Sequence, residues 1–427
     1  WPALRTRFVL APAARRASAS YEGTAMSHSL HHWGIPPWKI GFRPRGGRLP
    51  VSVDFAIVGA GFCGLAAAAW LKRLAPQKSV VVLEAFSIGS GASGRTGGMA
   101  LAETAAGDMP GLGDVLVGFD KILRTLNVKC DLDLRGAWEI ARKDGRNDSP
   151  IAWNDSGTLR VTKHVPGGSI DPGKLVAGLA RAAQKSGVKV HEHHRVTHVS
   201  WKKSPVLAIE SPGRTHNAKP RIHRLTAAKV LFATNALSLH VSGMTHRTHA
   251  RLTLATLTDP VSEATLKAIG LAPRRPFYTT DFPYLWGRVR KDRSIVFGAG
   301  LVTSSDAGNL ETVDIAHSES KEIFERLDQR IHGLHPALAT VKIVRHWGGP
   351  IMFRDTWKPV FGWHAHSNPK HRNGLVVGGF AGHGVALSLY FGTWAAEVLL
   401  GKHMPPRWGA VRGTRVPDPE MRRLKKV

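Results

Sequence analysis

The sequence predicts an α/β fold, a parallel-sheet domain assembled from separated pieces of chain with an antiparallel β-rich domain inserted. Three observations predict it. An apolar run, an alanine-rich stretch and a second apolar run follow one another between Val53 and Leu83, the pattern of a βαβ unit. Residues 249–300 are rich in Thr, Val, Tyr and Phe with hairpin-like breaks, which reads as an antiparallel layer. Apolar strand-like and helix-like segments return after residue 340. The 427 residues suffice for two or three domains, and 43% hydrophobic content allows a full core and excludes wholesale disorder.

Residues 31–50 carry Pro36, Pro37, Pro44, Pro50 and the Gly46-Gly47 pair, a loop-like lead-in, so order is expected to begin at Val53. Val53–Val58 and Val80–Leu83 are continuous apolar runs, as strands buried on both faces require. Phe62–Leu74, between them, is rich in the best helix former. Asp171-Pro172 starts a helix, with an N-cap oxygen followed by proline at the first helical position, and Gly187 ends it after about Lys185. Val188–Val190, Val196–Val199 and Lys229–Phe232 read as strands. Arg290–Arg293 breaks two strand-like runs. His317–Ile331 is helical by pattern, Val341–Trp347 and Leu375–Val377 are strands, and Val385–Leu400 is a helix. The expected organisation is a basic N-terminal extension (1–50), a discontinuous parallel-sheet domain (51–240 and 340–401), the main part of the inserted domain (241–339) and a basic tail (402–427).

The formal net charge is +28, and the two ends carry +7 (1–50) and +6 (401–427) of it. Such a field favours anionic ligands. Motifs of the known nucleic-acid modules are missing, so the ends read as solvated tails, with no specific nucleic-acid partner. The chain starts at Trp1. Residues 1–25 resemble a transit peptide in composition and also resemble translated non-coding sequence ahead of Met26, the reading favoured here. Two cysteines, Cys63 and Cys130, build neither a disulfide framework nor a Cys-based zinc site, and point to a reducing, cytoplasmic setting. Gly374–Ala396 lacks acidic and basic residues over 23 positions, but six of them are glycine. It reads as a strand, a glycine turn and a core helix, not a membrane span. His191, His193, His194 and His198, and later His364 and His366, lack ligands to complete a metal site, so no metal is expected.

Gly59-Ala60-Gly61-Phe62-Cys63-Gly64 joins the first strand to the first helix. Gly59 allows the tight turn, Gly61 lets backbone approach a pyrophosphate, and Gly64 lets the helix pack on the strand. A pyrophosphate then meets free N–H groups at the helix N-terminus. Glu84 stands at the end of the second strand, 20 residues on, where a carboxylate accepts ribose hydroxyls; Ala85 follows it. Cys63 reads as a small packing residue. Gly91-Ala92-Ser93-Gly94-Arg95-Thr96-Gly97-Gly98 follows, a small, donor-rich loop whose N–H groups and Arg95 can serve the pyrophosphate and admit a large planar cofactor. A flexible Gly/Ser surface loop is the bland alternative for this segment.

With these two motifs, Ala233-Thr234-Asn235 and Gly379-Phe380-Ala381-Gly382-His383-Gly384, the chain resembles the D-amino-acid oxidase type of FAD-dependent oxidoreductases, the glycine/sarcosine oxidase and γ-glutamylputrescine oxidase relatives, over roughly residues 51–401. The resemblance implies FAD as cofactor. Gly59, Gly61, Phe62, Cys63, Gly64, Glu84 and Ala85 would hold its ADP half, with Val196 meeting the adenine side through backbone. Ala92, Ser93, Gly94, Arg95, Thr96, Gly97 and Gly98 would serve the pyrophosphate and ring, with Ala233, Thr234 and Asn235 beside them. Gly379, Phe380, Gly382, His383, Gly384 and Val385 would open a helix whose N-terminus faces the pyrimidine ring, where reduced flavin carries negative charge. Thr96 departs from the Asn often found there. Residues 86–100 contain no histidine and no cysteine follows Cys130, so the usual tethers are missing and FAD is expected to be non-covalent.

The chemistry implied is oxidation of a C–N bond: hydride passes from the substrate α-carbon to flavin N5, leaving an imine that water hydrolyses. The partners are a small amine or amino acid and oxygen or another electron acceptor. Arg288, in Tyr284-Leu285-Trp286-Gly287-Arg288, is a candidate carboxylate partner, with a strand-surface arginine as the alternative. Lys358 is a candidate for oxygen activation over the flavin, against a surface lysine. His383 is the best single residue near the ring, positioning the cofactor more than reacting. Two other functions stay open: a flavin dehydrogenase acting on a non-amine substrate, and a noncatalytic Rossmann nucleotide-binding protein.

Overall fold

The computed structural model describes residues 30–142, 148–201, 203–213, 218–244, 248–281, 284–302, 310–367 and 370–411. Most of both basic ends, including the stretch before Met26, lies outside the described residues. The parallel sheet runs, edge to edge, Val360–Trp363, Gly374–Gly378, Arg221–Phe232, Ser52–Val58, Val80–Leu83 and Lys189–His191. Every neighbouring pair is parallel except the first. A hairpin, Arg195–Ser200 with Val206–Ser211, extends from Arg221–Phe232. The sheet therefore gathers strands from both ends of the chain, as the βαβ pattern and the late apolar strand predict.

Helices Phe62–Leu74, Pro172–Lys185 and Gly384–Leu399 cover one face with Val115–Thr125. Glycines at two crossings explain how closely they pack. A methyl on Gly64 would lie 2.0 Å from the Gly59 carbonyl oxygen, and one on Gly392 would lie 2.4 Å from that of Cys63. Helix thus meets strand, and helix meets helix, through main chain. Such overpacking typically costs about 1–3 kcal/mol. Asp171 caps its helix as expected, accepting from the Lys174 N–H at 2.8 Å.

The second sheet runs Ile343–Phe353, His249–Thr258, Ile295–Val302, Trp286–Val289, Phe277–Thr279, Ala137–Ala141, Thr158–Val165 and Trp153–Asn154. Its pairs are antiparallel except Phe277–Thr279 with Ala137–Ala141. One face packs Trp138, Trp153, Phe277 and Phe297 against Leu327, Ile331 and Leu334 of helix Ser318–Leu334. Register puts Glu139, Tyr278, Trp286, Gly298, Ala255 and Trp347 in one row across the other face.

Two expectations are corrected. Residues 137–165 and 343–353, grouped from sequence with the parallel-sheet pieces, supply strands to the antiparallel sheet. These strands bury at least part of their length, as the parallel strands do, so an apolar run does not say which sheet it joins. Order also begins well before Val53. Trp33 is completely buried and donates its indole N–H to the Leu310 carbonyl. Gly34 bridges to Trp347, and Trp38 packs edge-on against the Trp347 ring. The prolines of this segment shape a strap, not a free lead-in. Gly374–Ala396 resolves into a strand, a turn and most of a helix, and no helix among the described residues is long and apolar enough to cross a membrane.

Candidate active site

The four motifs meet at one edge of the parallel sheet. Gly59 follows the strand ending at Val58, Glu84 the strand ending at Leu83, Ala233 the strand ending at Phe232, and Gly379 the strand ending at Gly378. Carboxyl ends of parallel strands are where such sheets bind ligands. A cleft there is lined by ten of the expected residues: Gly59, Gly61, Glu84, Ala85, Ala92, Ser93, Val196, Ala233, Thr234 and Asn235. His194, Leu237, Ser238 and Glu311 also line it. No local motif marks these four, so sequence reading passed over them.

The cleft chemistry fits a dinucleotide. Gly59 has φ +105°, and a Cβ on it would stand 2.7 Å from the Ala233 carbonyl oxygen, so only glycine joins the two strand ends this closely. Glu84 accepts from the Ala60 N–H at 2.8 Å and the Phe86 N–H at 3.0 Å, leaving lone pairs for hydroxyl donors. Burial pushes its carboxyl up, and those two N–H groups oppose the shift. Ser93 Oγ accepts from the Phe62 N–H at 2.9 Å, fastening the second motif to the first helix. The Thr234 hydroxyl is buried without a partner among the described residues, an unused group in the wall. Phe62, Cys63 and Gly64 stand behind the cleft, in the core. Burial pushes the Cys63 thiol up to about 12, which suits packing and not nucleophilic chemistry.

Arg95 departs from expectation. Its guanidinium donates to the carbonyl oxygens of Ser90, Leu30, Trp33, Gly34 and Gly348, at 2.7 to 3.2 Å. It staples the loop to the strap and the second sheet instead of facing a phosphate. Burial lowers its pKa to about 10, still well above neutrality. Gly94 turns tightly, its absent Cβ only 2.4 Å from the Gly89 carbonyl oxygen. Thr96 Oγ accepts from the Gly98 N–H at 3.3 Å. Gly97 lies under the Trp286 ring, and Gly98 lies beside Arg288.

The fourth motif is tied to the third. Asn235 Oδ1 accepts from the Gly379 N–H at 3.0 Å, and the Ala381 N–H donates to the Met352 carbonyl at 3.1 Å. Gly382 has φ +91° and Gly384 starts the long helix, with Val385 buried behind it and Phe380 packed on the same core. His383 shares a contact of 3.1 Å between Nδ1 and the Ala381 carbonyl. Burial pushes its pKa down, while that carbonyl and nearby Glu103 oppose the shift. Glu103 also accepts from the Tyr278 hydroxyl, with Glu139 beside it. Burial, with both carboxylates, pushes that phenol up. This Glu103–Tyr278–Glu139 group is absent from the sequence reading, because three distant segments build it.

Arg288 lies on the same sheet face as Trp286, buried, with Nε donating to the Gly97 carbonyl at 2.5 Å. Burial lowers its pKa to about 10. Its guanidinium stands 5.1 Å from the Trp38 ring centroid. The structure thus brings Arg288 to the glycine loop. Lys358 lies half-buried on the loop between Ile343–Phe353 and Val360–Trp363. It makes no hydrogen bond or ion pair among the described residues, and nothing ties it to the cleft. No group of His, Cys, Asp and Glu among the described residues is arranged to hold a metal.

The family model for FAD-dependent oxidoreductases matches residues 54–398. A probable oxidoreductase OrdL of Haemophilus influenzae is 25% identical over 424 residues, covering 86% of each chain. The γ-glutamylputrescine oxidoreductase of Escherichia coli is 24% identical over 396 residues, covering 82% of this chain and 84% of its own. Glycine oxidase from Geobacillus kaustophilus superposes with a TM-score of 0.63 at 16% identity, covering 86% of this chain and 100% of its own. The amino acid oxidase NikD superposes with a TM-score of 0.63 at 14% identity, over 86% of this chain and 100% of its own. The matched span takes in every glycine motif at the sheet edge, and the chain belongs to the FAD-dependent oxidoreductase family.

Proposed function

We propose that this FAD-dependent oxidoreductase oxidises the C–N bond of a small amine or amino acid, releasing an imine that water hydrolyses. The observation that carries the reading is the meeting of the two halves of the molecule. The loop that lines the cleft at Ala92 and Ser93 runs on to Gly97 and Gly98, where the second sheet presents Trp286 and Arg288. Bound FAD supplies the two-electron acceptor that takes the hydride from the α-carbon. Glu84 holds the ribose, and the turn from Gly59 to Gly61 with the helix behind it holds the pyrophosphate. The N-terminus of helix Gly384–Leu399 would supply positive dipole to the ring of bound FAD. His383, with its pKa pushed down by burial, is neutral at pH 7 and acts by position.

Arg288 pairs with a carboxylate on the substrate, for which its guanidinium fork is suited. No side-chain base is required if the amine arrives unprotonated. Two buried, unpaired cysteines support a cytoplasmic setting.

The test is spectroscopic. Purified protein is expected to show flavin absorbance, and acid precipitation is expected to leave that colour in the supernatant, because residues 86–100 hold no histidine and no cysteine follows Cys130. Anaerobic addition of amines and amino acids should bleach it, with keto or aldehyde product. Peroxide on readmitting air identifies oxygen as the acceptor, and its absence identifies another. Colour that no amine or amino acid bleaches overturns C–N oxidation, and colour that stays with the pellet overturns non-covalent binding.

A further inference from the structure

We propose that Trp38, on the strap ahead of the first strand, is a positioning residue that holds Arg288 ready for the acidic group of the substrate. The proposal rests on the reading of Arg288 as the carboxylate partner. Arg288 lies on strand Trp286–Val289 and Arg290 directly follows its end, and both side chains reach Trp38. Their guanidinium carbons stand 5.1 Å and 5.7 Å from the centroid of the Trp38 ring.

Their circumstances differ. Arg290 is satisfied: Nη1 donates to Asp292 at 2.8 Å and to Ser294 Oγ at 3.0 Å. Arg288 donates only Nε, to the Gly97 carbonyl. Its terminal nitrogens make no hydrogen bond among the described residues. The acids that act on it from a distance are Asp171, Asp292 and Asp131. Each is committed elsewhere: Asp171 caps its helix, Asp292 holds Arg290, and Asp131 pairs with Lys174 and Lys291. The result is a buried cation whose terminal nitrogens are unpaired among the described residues, an arrangement that is costly until an anion arrives.

Trp38 makes that arrangement tenable. Its ring supplies the negative face that a desolvated guanidinium prefers. On the other side, Gly98 leaves the space a Cβ would take, with Arg288 Nη2 only 3.0 Å from that position. The guanidinium plane is therefore held near the indole on one side and main chain on another, with Nε pinned. Only the terminal edge is left for a planar anion, and bidentate pairing uses that edge. Trp38 is fixed in turn by the Trp347 ring at 6.1 Å, and Trp347 donates its N–H to the Arg95 carbonyl at 2.9 Å. The Trp38 indole N–H is itself buried without an acceptor among the described residues. Packing and charge, not a hydrogen bond, set its orientation.

The test titrates FAD-loaded protein with benzoate and, separately, with neutral benzamide, reading the flavin difference spectrum. Trp38→Leu is expected to weaken benzoate binding about tenfold relative to benzamide, and Trp38→Phe about two- to threefold, in the order of ring quadrupole strength. Arg288→Met should abolish the preference for benzoate. A merely structural tryptophan would weaken both probes alike, and that outcome overturns the proposal. Should Trp38→Leu fail to retain FAD, the Trp38→Phe titration decides alone, and an unchanged ratio overturns the proposal. An unchanged ratio in the Trp38 variants with a lost preference in Arg288→Met removes the role of Trp38 and keeps the carboxylate reading. A wild-type protein that prefers neither probe overturns both.

Discussion

Arg95 has five main-chain carbonyl oxygens as its partners and no carboxylate among them. Those oxygens belong to the strap, the glycine loop and the strand at Gly348, so one side chain holds three segments together. Lysine keeps the charge but lacks the planar fork, and leaves several buried acceptors unpaired. Arg95→Lys should therefore lower stability by about 3 kcal/mol, since each orphaned buried acceptor costs about 1–3 kcal/mol and the site relaxes in part. The urea midpoint of the FAD-loaded protein checks this, and a midpoint shared with wild type would refute the staple. The same side chain shows a limit of motif reading. A buried arginine in a glycine loop resembles a phosphate ligand until its acceptors are known.

At the scale of elements, two strand ends carry histidines that folding keeps neutral. His364 follows Val360–Trp363, stacks on Trp201 at 4.5 Å, and places Nε2 3.1 Å from the Val241 carbonyl. Its Nδ1 accepts from the His366 N–H, so the Nε2–H tautomer is the one these contacts hold. Burial pushes its pKa down to about 4. Burial, followed by His194, does the same to His191 at the end of Lys189–His191, also to about 4. Each folded pKa lies below the ordinary histidine value of 6.5, so the unfolded chain binds more protons in that range. Stability from these groups is complete above about pH 6.5, falls as pH drops, and is gone below about pH 4. Urea midpoints measured from pH 7 to 4 should fall, and His364→Phe should flatten part of that slope whatever its effect at pH 7. An unflattened slope would exclude His364 as a contributor.

Across the whole molecule, the strap joins what the two sheets would otherwise leave apart. Trp33 is fully buried and reaches Leu310, Trp38 packs on Trp347, and the Arg45 N–H donates to Gln184 Oε1 of helix Pro172–Lys185 at 2.8 Å. Truncating a buried tryptophan costs about 3–5 kcal/mol. Trp33→Ala should lower the denaturation midpoint by a corresponding amount, with FAD released earlier than in wild type, because the carbonyls that hold Arg95 shift with it. Flavin fluorescence followed alongside tryptophan fluorescence reads both. Coincident, unshifted transitions would show that the strap only covers the surface.

The amino-acid pattern by itself determined the βαβ unit, the glycine turn at Gly59–Gly64, Glu84, the helix capped by Asp171, and the late strand–turn–helix from Gly374 onward. Each depends on neighbours within about 30 residues: a turn needs its glycine, and an N-cap needs its oxygen, wherever the rest of the chain goes. Gly59, Gly61, Glu84, Ala92 and Ser93 of the cleft were legible for that reason, whereas Ala85, Val196, Ala233, Thr234 and Asn235 came from the family resemblance. Only the tertiary structure decided which sheet residues 137–165 and 343–353 join, that Trp33 and Trp38 of the proline-rich strap are buried, and what Arg95 and Arg288 touch. It also decided the grouping of Glu103, Tyr278 and Glu139. These depend on strand order and register between segments 40 to 310 residues apart, for example the Trp33–Leu310 hydrogen bond. Residue type alone carries no record of such pairings, since the same buried arginine suits a phosphate, a carboxylate or a row of carbonyls until packing chooses among them.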